Sequence, residues 1–235
     1  MKVAVINFSG NVGKTVIASH LLSPRMPDAK IFSVESINAG ADADGLEVEK
    51  IRGKGFGALA DELLTAEKAI IDVGASNVED FLKMMQQYAG SHEDIDHFII
   101  PVVKEQKVQK DTVNTIRSLQ QIGVKRDRIS VVFNRVDVDD NVQADFGALF
   151  GLAATERSFR LNAAAAIYSN EVYERMKAAQ TSLGAVNADD TDYRAKLRSA
   201  TTDDEKEHSV NMIAMKRLAI SANENLDAVY KIIFK

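Results

Sequence analysis

The feature that most constrains this chain is an alternation of short, largely apolar runs rich in β-branched residues with stretches of helical periodicity. The runs are Val3 to Ile6, Ile31 to Val34, Ala69 to Val73, Phe98 to Val103 and Ile129 to Phe133. Each has the length of a strand and the composition of one buried in a parallel sheet. Between them, Val108, Thr112, Ile116 and Leu119 share one face of a helix over Gln106 to Ile122. Strand, helix, strand in repetition predicts an α/β protein of three layers. Right-handed crossovers place helices on both faces of a mostly parallel sheet.

A short extra strand is expected at Leu46 to Ile51. After about Asp137 the chain turns helix-rich, with one more strand expected near Ser158 to Leu161. We read residues 1–235 as a single domain whose residues 138–235 form a helix-rich C-terminal part. Asn187 to His208 is polar and reads as a solvated loop or short helix, whereas Val210 to Phe234 reads as a docking helix through Ile213, Leu218, Leu226, Val229 and Ile233.

Composition excludes several classes. At 46% apolar and 27% charged residues the chain is globular, and its net charge of −5 argues against coating nucleic acid with the whole surface. The absence of cysteine removes disulfides, iron–sulfur clusters and thiol nucleophiles, and His20, His92, His97 and His208 lack metal-ligand spacing. No apolar run reaches the roughly 18 residues of a membrane span, and a secretory pattern is missing at the start, so the cytoplasm is the expected compartment.

The most informative segment is Asn7-Phe-Ser-Gly-Asn-Val-Gly-Lys-Thr15, between the first strand and the helical pattern Val16, Ile17, Leu21. A helix start leaves its first N–H groups unpaired and carries partial positive charge, so a loop that bends there binds phosphate. Gly10 and Gly13 permit the bend. Lys14 supplies a cation for the β- and γ-phosphates, and Thr15 offers a hydroxyl to Mg²⁺. The segment fits G-x-x-x-x-G-K-S/T except that Phe8 stands at the first glycine.

Aligned on Gly13-Lys14-Thr15, Ser9-Gly10-Asn11-Val12-Gly13-Lys14-Thr15 resembles the deviant Walker A sequence K-G-G-x-G-K-S/T of the ParA/MinD ATPases. Ala69-Ile-Ile-Asp72 is similar to that family's second Walker strand, which implies that Asp72 joins Thr15 at Mg²⁺; a strand-end turn is the alternative. The continuation Asp72-Val-Gly-Ala-Ser76 resembles the plasmid-borne subgroup that includes TraL and the plasmid stability and conjugation protein StbB. Asn134-Arg-Val-Asp137 ends the fifth major strand where relatives set an asparagine against the base. The amide of Asn134 suits adenine, while Asp137 would suit guanine as in N-K-x-D GTPases. The resemblance therefore implies ATP, with GTP second, held by Ser9 to Val16 together with Asn134, Arg135 and Asp137.

Two departures concern hydrolysis. The family's signature lysine, which reaches the partner subunit's phosphates, corresponds to Ser9. The aspartate that orients water in D-x-D-P falls in Val34-Glu35-Ser36-Ile37-Asn38, where Ile37 or Ser36 replaces it. Glu35, Asp42 and Asp44 are the remaining catalytic candidates, and a weak ATPase at most is expected.

The resemblance further implies a nucleotide-dependent homodimer that works with a plasmid-encoded DNA-binding partner in partition or conjugation. A scaffold without significant hydrolysis and a metabolic ligase or kinase are the other readings. Direct nonspecific DNA contact would use Lys107, Lys110 and Arg117, enlarged by Lys125, Arg126 and Arg128 only if folding gathers them. The tail from Leu226 to Lys235 carries only Lys231 and Lys235 on its polar side, so a packed helix is expected and no membrane contact.

Overall fold

A computed structural model describes residues 1–34, 49–51 and 55–235. Seven strands form one all-parallel sheet: β1 (Lys2–Val5), β2 (Lys30–Val34), β3 (Glu49–Ile51), β4 (Ala69–Val73), β5 (His97–Val102), β6 (Ile129–Val136) and β7 (Ala166–Tyr168), in the order β3-β2-β4-β1-β5-β6-β7. Parallel strands need long crossovers, and those crossovers are the helices.

Side chains alternate across the sheet with period two. From β1 and β4, Ala4, Ile6, Ala69, Ile71 and Val73 face one layer, and Val3, Val5 and Ile70 face the other. The first layer comprises α2 (Phe56–Thr65), α3 (Val78–Gln87), α4 (Gln106–Gln121), α5 (Val142–Asp145) and α6 (Gly147–Glu156). Helix α1 covers residues 14–25, with an α turn at Lys14–Val16, π turns at Ile17–Leu22 and a 3₁₀ turn at Ser23–Arg25. It packs in the second layer with α7 (Val172–Ala178), α8 (Leu183–Ala188) and α10 (Asp203–Ile233); α9 (Tyr193–Ser199) lies against α10. The three-layer α/β architecture is thus as the alternation predicted.

Three local expectations change. Near Ser158 to Leu161 there is only an isolated bridge between Ser130 and Arg160, and the edge strand is β7, whose three residues are too few to show periodicity. Within Asn187 to His208 the expected short helix is α9, but α10 begins at Asp203 rather than near Val210, started by a capping box. Thr202 Oγ1 accepts from Glu205 N–H while the Glu205 carboxylate accepts from Thr202 N–H. Finally, α10 buries Met215, Ala219, Ala222, Leu226, Val229 and Ile233, leaving Ile213 and Leu218 only partly covered. The remainder of the expected strand before Glu49, Leu46 to Val48, lies outside the described residues.

Arg25 fastens the end of α1 to α10. Its guanidinium donates to Asp227 Oδ1 (2.8 Å), to the Asn223 side-chain oxygen (2.8 Å), and to the His20 and Leu21 carbonyls (2.9 and 3.1 Å), while its side chain is only 10% exposed. Removing it takes the donor from all of these acceptors at once. Arg25→Ala is expected to lower the unfolding free energy by about 2 to 3 kcal/mol, read from the urea midpoint at constant slope.

Candidate functional site

The turn between β1 and α1 is held by two left-handed residues. Asn11 has φ 55° and Gly13 has φ 87°. Asparagine tolerates that region, and glycine enters it without steric cost. At Gly13 the requirement is doubled, because a Cβ there would lie 2.0 Å from Asn134 Nδ2. The result is a backbone concavity at a helix start, the arrangement that receives anionic oxygen.

Lys14 does not stand on an exposed loop. It is 7% exposed, and its ammonium donates to the Ser9 carbonyl (2.7 Å) and the Asn7 carbonyl (3.2 Å), folded along the concavity it would serve. Beside it, Thr15 Oγ1 donates to Asp72 Oδ2 at 2.8 Å, so β4 delivers its carboxylate to the first turn of α1. One hydroxyl and one carboxylate form a set of hard oxygen donors. Mg²⁺ fits such a pair, since it keeps waters and takes phosphate oxygens rather than demanding an all-protein cage. Among the described residues no group of three or more His, Asp or Glu could hold a metal ion.

On the other side of the loop, β6 carries an irregularity between Phe133 and Val136, with Arg135 at φ 54°. This bulge re-aims the strand end. Asn134, 4% exposed, donates from Nδ2 to the Val12 carbonyl at 2.9 Å, leaving its Oδ1 available to a ligand. An open cavity of 380 Å³ begins there, bounded by Gly13, Val16, Asn134, Arg135, Tyr168 and Tyr173. Among the described residues the Tyr173 hydroxyl has no hydrogen-bond partner, and burial pushes its pKa up to about 12, so it remains a donor at neutral pH. Asp137 is not at this cavity; its carboxylate lies 3.6 Å from Lys104 Nζ, which also pairs with Asp140.

A polar network beneath the loop was not legible in the sequence. Asn7, fully buried, donates to the Pro101 carbonyl and to Thr112 Oγ1, both at 2.8 Å, and accepts from Ser9 N–H at 2.9 Å. Phe8 N–H donates to Thr115 Oγ1 at 3.2 Å, and Ser9 Oγ donates to Asp111 Oδ2 at 2.6 Å. Helix α4 thus holds the loop's leading edge through partners more than a hundred residues away. The one available signal was the set Asp111, Thr112 and Thr115 on a helix whose other inward residues are Gln109, Ile116 and Leu119.

The remaining sequence candidates divide. Glu35, Ser36, Ile37, Asn38, Asp42 and Asp44 lie outside the described residues. Lys107 and Lys110 are exposed near the start of α4, Arg117 is paired with Glu156 at 2.7 Å, and Lys125, Arg126 and Arg128 follow the helix's other end, about 24 Å along its axis. The two basic groups therefore do not form one cluster. No described helix is long and apolar enough to cross a membrane.

No protein-family model matches the chain, and no curated protein matches it in sequence. Its backbone does match solved structures. The chain has the P-loop nucleoside-triphosphatase fold of the ParA/MinD proteins, with helices on both faces of a parallel sheet. A Cyanothece McdA variant in complex with ATP aligns at TM-score 0.51 and 14% identity over 94% of this chain and 96% of that one. The MinD cell division protein of Aquifex aeolicus gives 0.51 and 11% over 94% and 96%, and a ParA family ATPase from Chlorobium tepidum gives 0.51 and 13% over 92% and 97%. At these identities the likeness is one of fold.

Two substitutions probe the loop. Lys14→Ala removes a charge-assisted donor worth about 1.5 to 3 kcal/mol, so calorimetry is expected to show ATP affinity lower by about 10- to 100-fold. Gly13→Ala is expected to abolish ATP binding, because the new methyl must displace Asn134 and occupy a strained φ. Unchanged affinity in either variant would remove the loop from the binding site.

Proposed function

We propose that the chain is an ATP-binding, nucleotide-dependent switch of the partition and positioning type, related to the StbB-like plasmid stability and conjugation proteins. The observation that carries this reading is the convergence of Gly13, Lys14, Thr15, Asp72 and Asn134 on one helix start. In this reading the N–H groups of Gly10 to Val16 and the Lys14 ammonium hold the phosphates. Thr15 and Asp72 hold Mg²⁺, and the base enters the cavity beside Asn134. Asn134 Oδ1 accepts from the adenine amino group, Tyr173 donates to a ring nitrogen, and Tyr168 offers an aromatic face. ATP is favoured over GTP because Asp137, the guanine-reading candidate, is engaged with Lys104 away from the cavity.

The switch is a change in dimer contacts between triphosphate and diphosphate states, read by a plasmid-encoded DNA-binding partner. Support by analogy comes from a solved MinC:MinD cell division complex of Aquifex aeolicus, with TM-score 0.52 and 12% identity. Direct DNA contact through Lys107 and Lys110 has the weaker support, since those side chains stand apart from the other basic residues.

A second reading, a nucleotide-binding scaffold with little turnover, is favoured by Ser9. This residue spends its hydroxyl on Asp111 and has no cation to offer a phosphate across a dimer. The two readings separate on phosphate release. The isolated protein is expected to turn over ATP far more slowly than the roughly 1 to 100 s⁻¹ of kinases. Ser9→Lys alone is expected to leave that rate unchanged, because the new ammonium would pair with Asp111 of its own chain. Ser9→Lys with Asp111→Asn is expected to raise it only where ATP also produces a dimer in sedimentation velocity. Brisk hydrolysis by the parent would refute the slow-turnover expectation and direct attention to Glu35, Asp42 and Asp44.

For base selection, Asn134→Ala is expected to cost about 1 to 3 kcal/mol of ATP affinity, and Tyr173→Phe about 1 kcal/mol, in competition binding against GTP. If both variants lose ATP and GTP equally, the cavity does not read the base.

A further inference from the structure

The surface between α9 and α10 has a groove of 420 Å³, separate from the loop and the cavity beside it. Leu197 from α9 and Val210, Ile213 and Ala214 from α10 supply its apolar floor. Val210 is 50% exposed, and Ile220, 58% exposed, continues the same face, because positions 210, 213, 217 and 220 fall along one side of a helix. Hydrophobic side chains held open in this way, on a helix whose opposite face is fully packed, are not needed for the core.

The rim is basic. Arg194, Arg198 and Arg217 border the floor, and among the described residues none of them makes an ion pair or a side-chain hydrogen bond. That contrasts with Arg25, Arg117, Arg160 and Arg175, each of which is engaged. Nearby polar groups are already satisfied. Asp189 is held at about 2, chiefly by hydrogen bonds from Thr191 and then from Tyr193, and it pairs with Lys216; Asp192 caps α9 by accepting from Ala195 N–H. Three guanidinium groups that make no ion pair among the described residues, two of them (Arg194 and Arg198) in the field of the Asp192 carboxylate, thus border an apolar strip on a chain of net charge −5.

We propose that this groove docks an acidic amphipathic helix of a partner protein. The partner's apolar ridge would lie on Leu197, Val210, Ile213 and Ile220, and its carboxylates would reach Arg194, Arg198 and Arg217, where arginine can engage them through two parallel bonds. Nucleic acid fits less well. Phosphates gain nothing from an apolar floor, and no aromatic ring lines the groove to stack a base, the Tyr193 ring being covered by Lys196 and Lys216.

The test uses the full chain and a displayed library of random peptides about 16 residues long, roughly four helical turns. The peptides are selected on the parent and counter-selected on a variant carrying Arg198→Glu and Val210→Asp. The expected outcome is enrichment of sequences with Asp or Glu beside Leu, Ile or Phe at helical spacing. The leading peptide, synthesised, should bind the parent and weaken by about tenfold or more on that variant and on Arg194→Glu. Replacing its acids by lysine should abolish binding. These positions are exposed or half-buried, so folding should survive; thermal melting checks this, and Arg194→Gln with Arg198→Gln gives the same reading if the first variant fails it. The proposal is overturned if no peptide is enriched, if the enriched set lacks acids, or if the variants bind equally. It is also overturned if the groove variants instead abolish binding of a duplex DNA probe, or convert a parental dimer to monomer in sedimentation velocity. None of these readouts depends on nucleotide, so the proposal stands or falls separately from the ATP reading.

Discussion

Everything in the candidate site depends on one backbone reversal, the turn that carries the chain from β1 into α1. Gly13 can take φ 87° only because it lacks a side chain, and Asn134 fills the space a side chain would need. That single contact ties the loop to β6 and sets the concavity of the loop beside the cavity bounded by Asn134 and Tyr173. Around it, Thr15 meets Asp72 from β4, and Asn7 meets Pro101 from β5 and Thr112 from α4. The central strands of a parallel sheet all end on the same side, so their C-terminal ends deliver polar groups to one place.

Much of this arrangement is legible in the amino-acid sequence. Apolar runs mark the central strands, since buried parallel strands are apolar on both faces, and the glycine-lysine-threonine turn marks the site. What escapes such a reading does so for physical causes. Strand β7 is three residues long and its neighbour in sequence is irregular, so periodicity has nothing to act on. The true face of α10 uses Ala219 and Ala222, small residues whose burial comes from close helix packing rather than from hydrophobic bulk, and so Ile213 draws attention that belongs elsewhere. The partners of Asn7 and Ser9 lie on α4, and no local rule connects residues so distant.

The pairing of Ser9 with Asp111 gives the loop a different electrostatic character from the family pattern it resembles. A lysine there would add positive charge at the loop's edge; this chain instead places a carboxylate within hydrogen-bond reach of that edge. Negative charge near bound phosphate is unfavourable unless a cation intervenes. In the proposed reading, anionic oxygen would be held mainly by backbone N–H groups, Lys14 and a divalent ion, a set suited to binding and poor in mobile positive charge for a transition state.

The strand order has a consequence for how the protein comes into being. Because β1 sits between β4 and β5, it has no strand partner until Ala69 and then His97 have been synthesised. The buried Asn7 amide must wait longer still, for Thr112, 105 residues on. A nascent chain emerging at roughly 5 to 20 residues per second would therefore carry an apolar, unpaired N-terminal segment for several seconds. Closing such long loops is entropically slow. The loop after β1 therefore takes shape only once residues more than a hundred positions downstream have arrived.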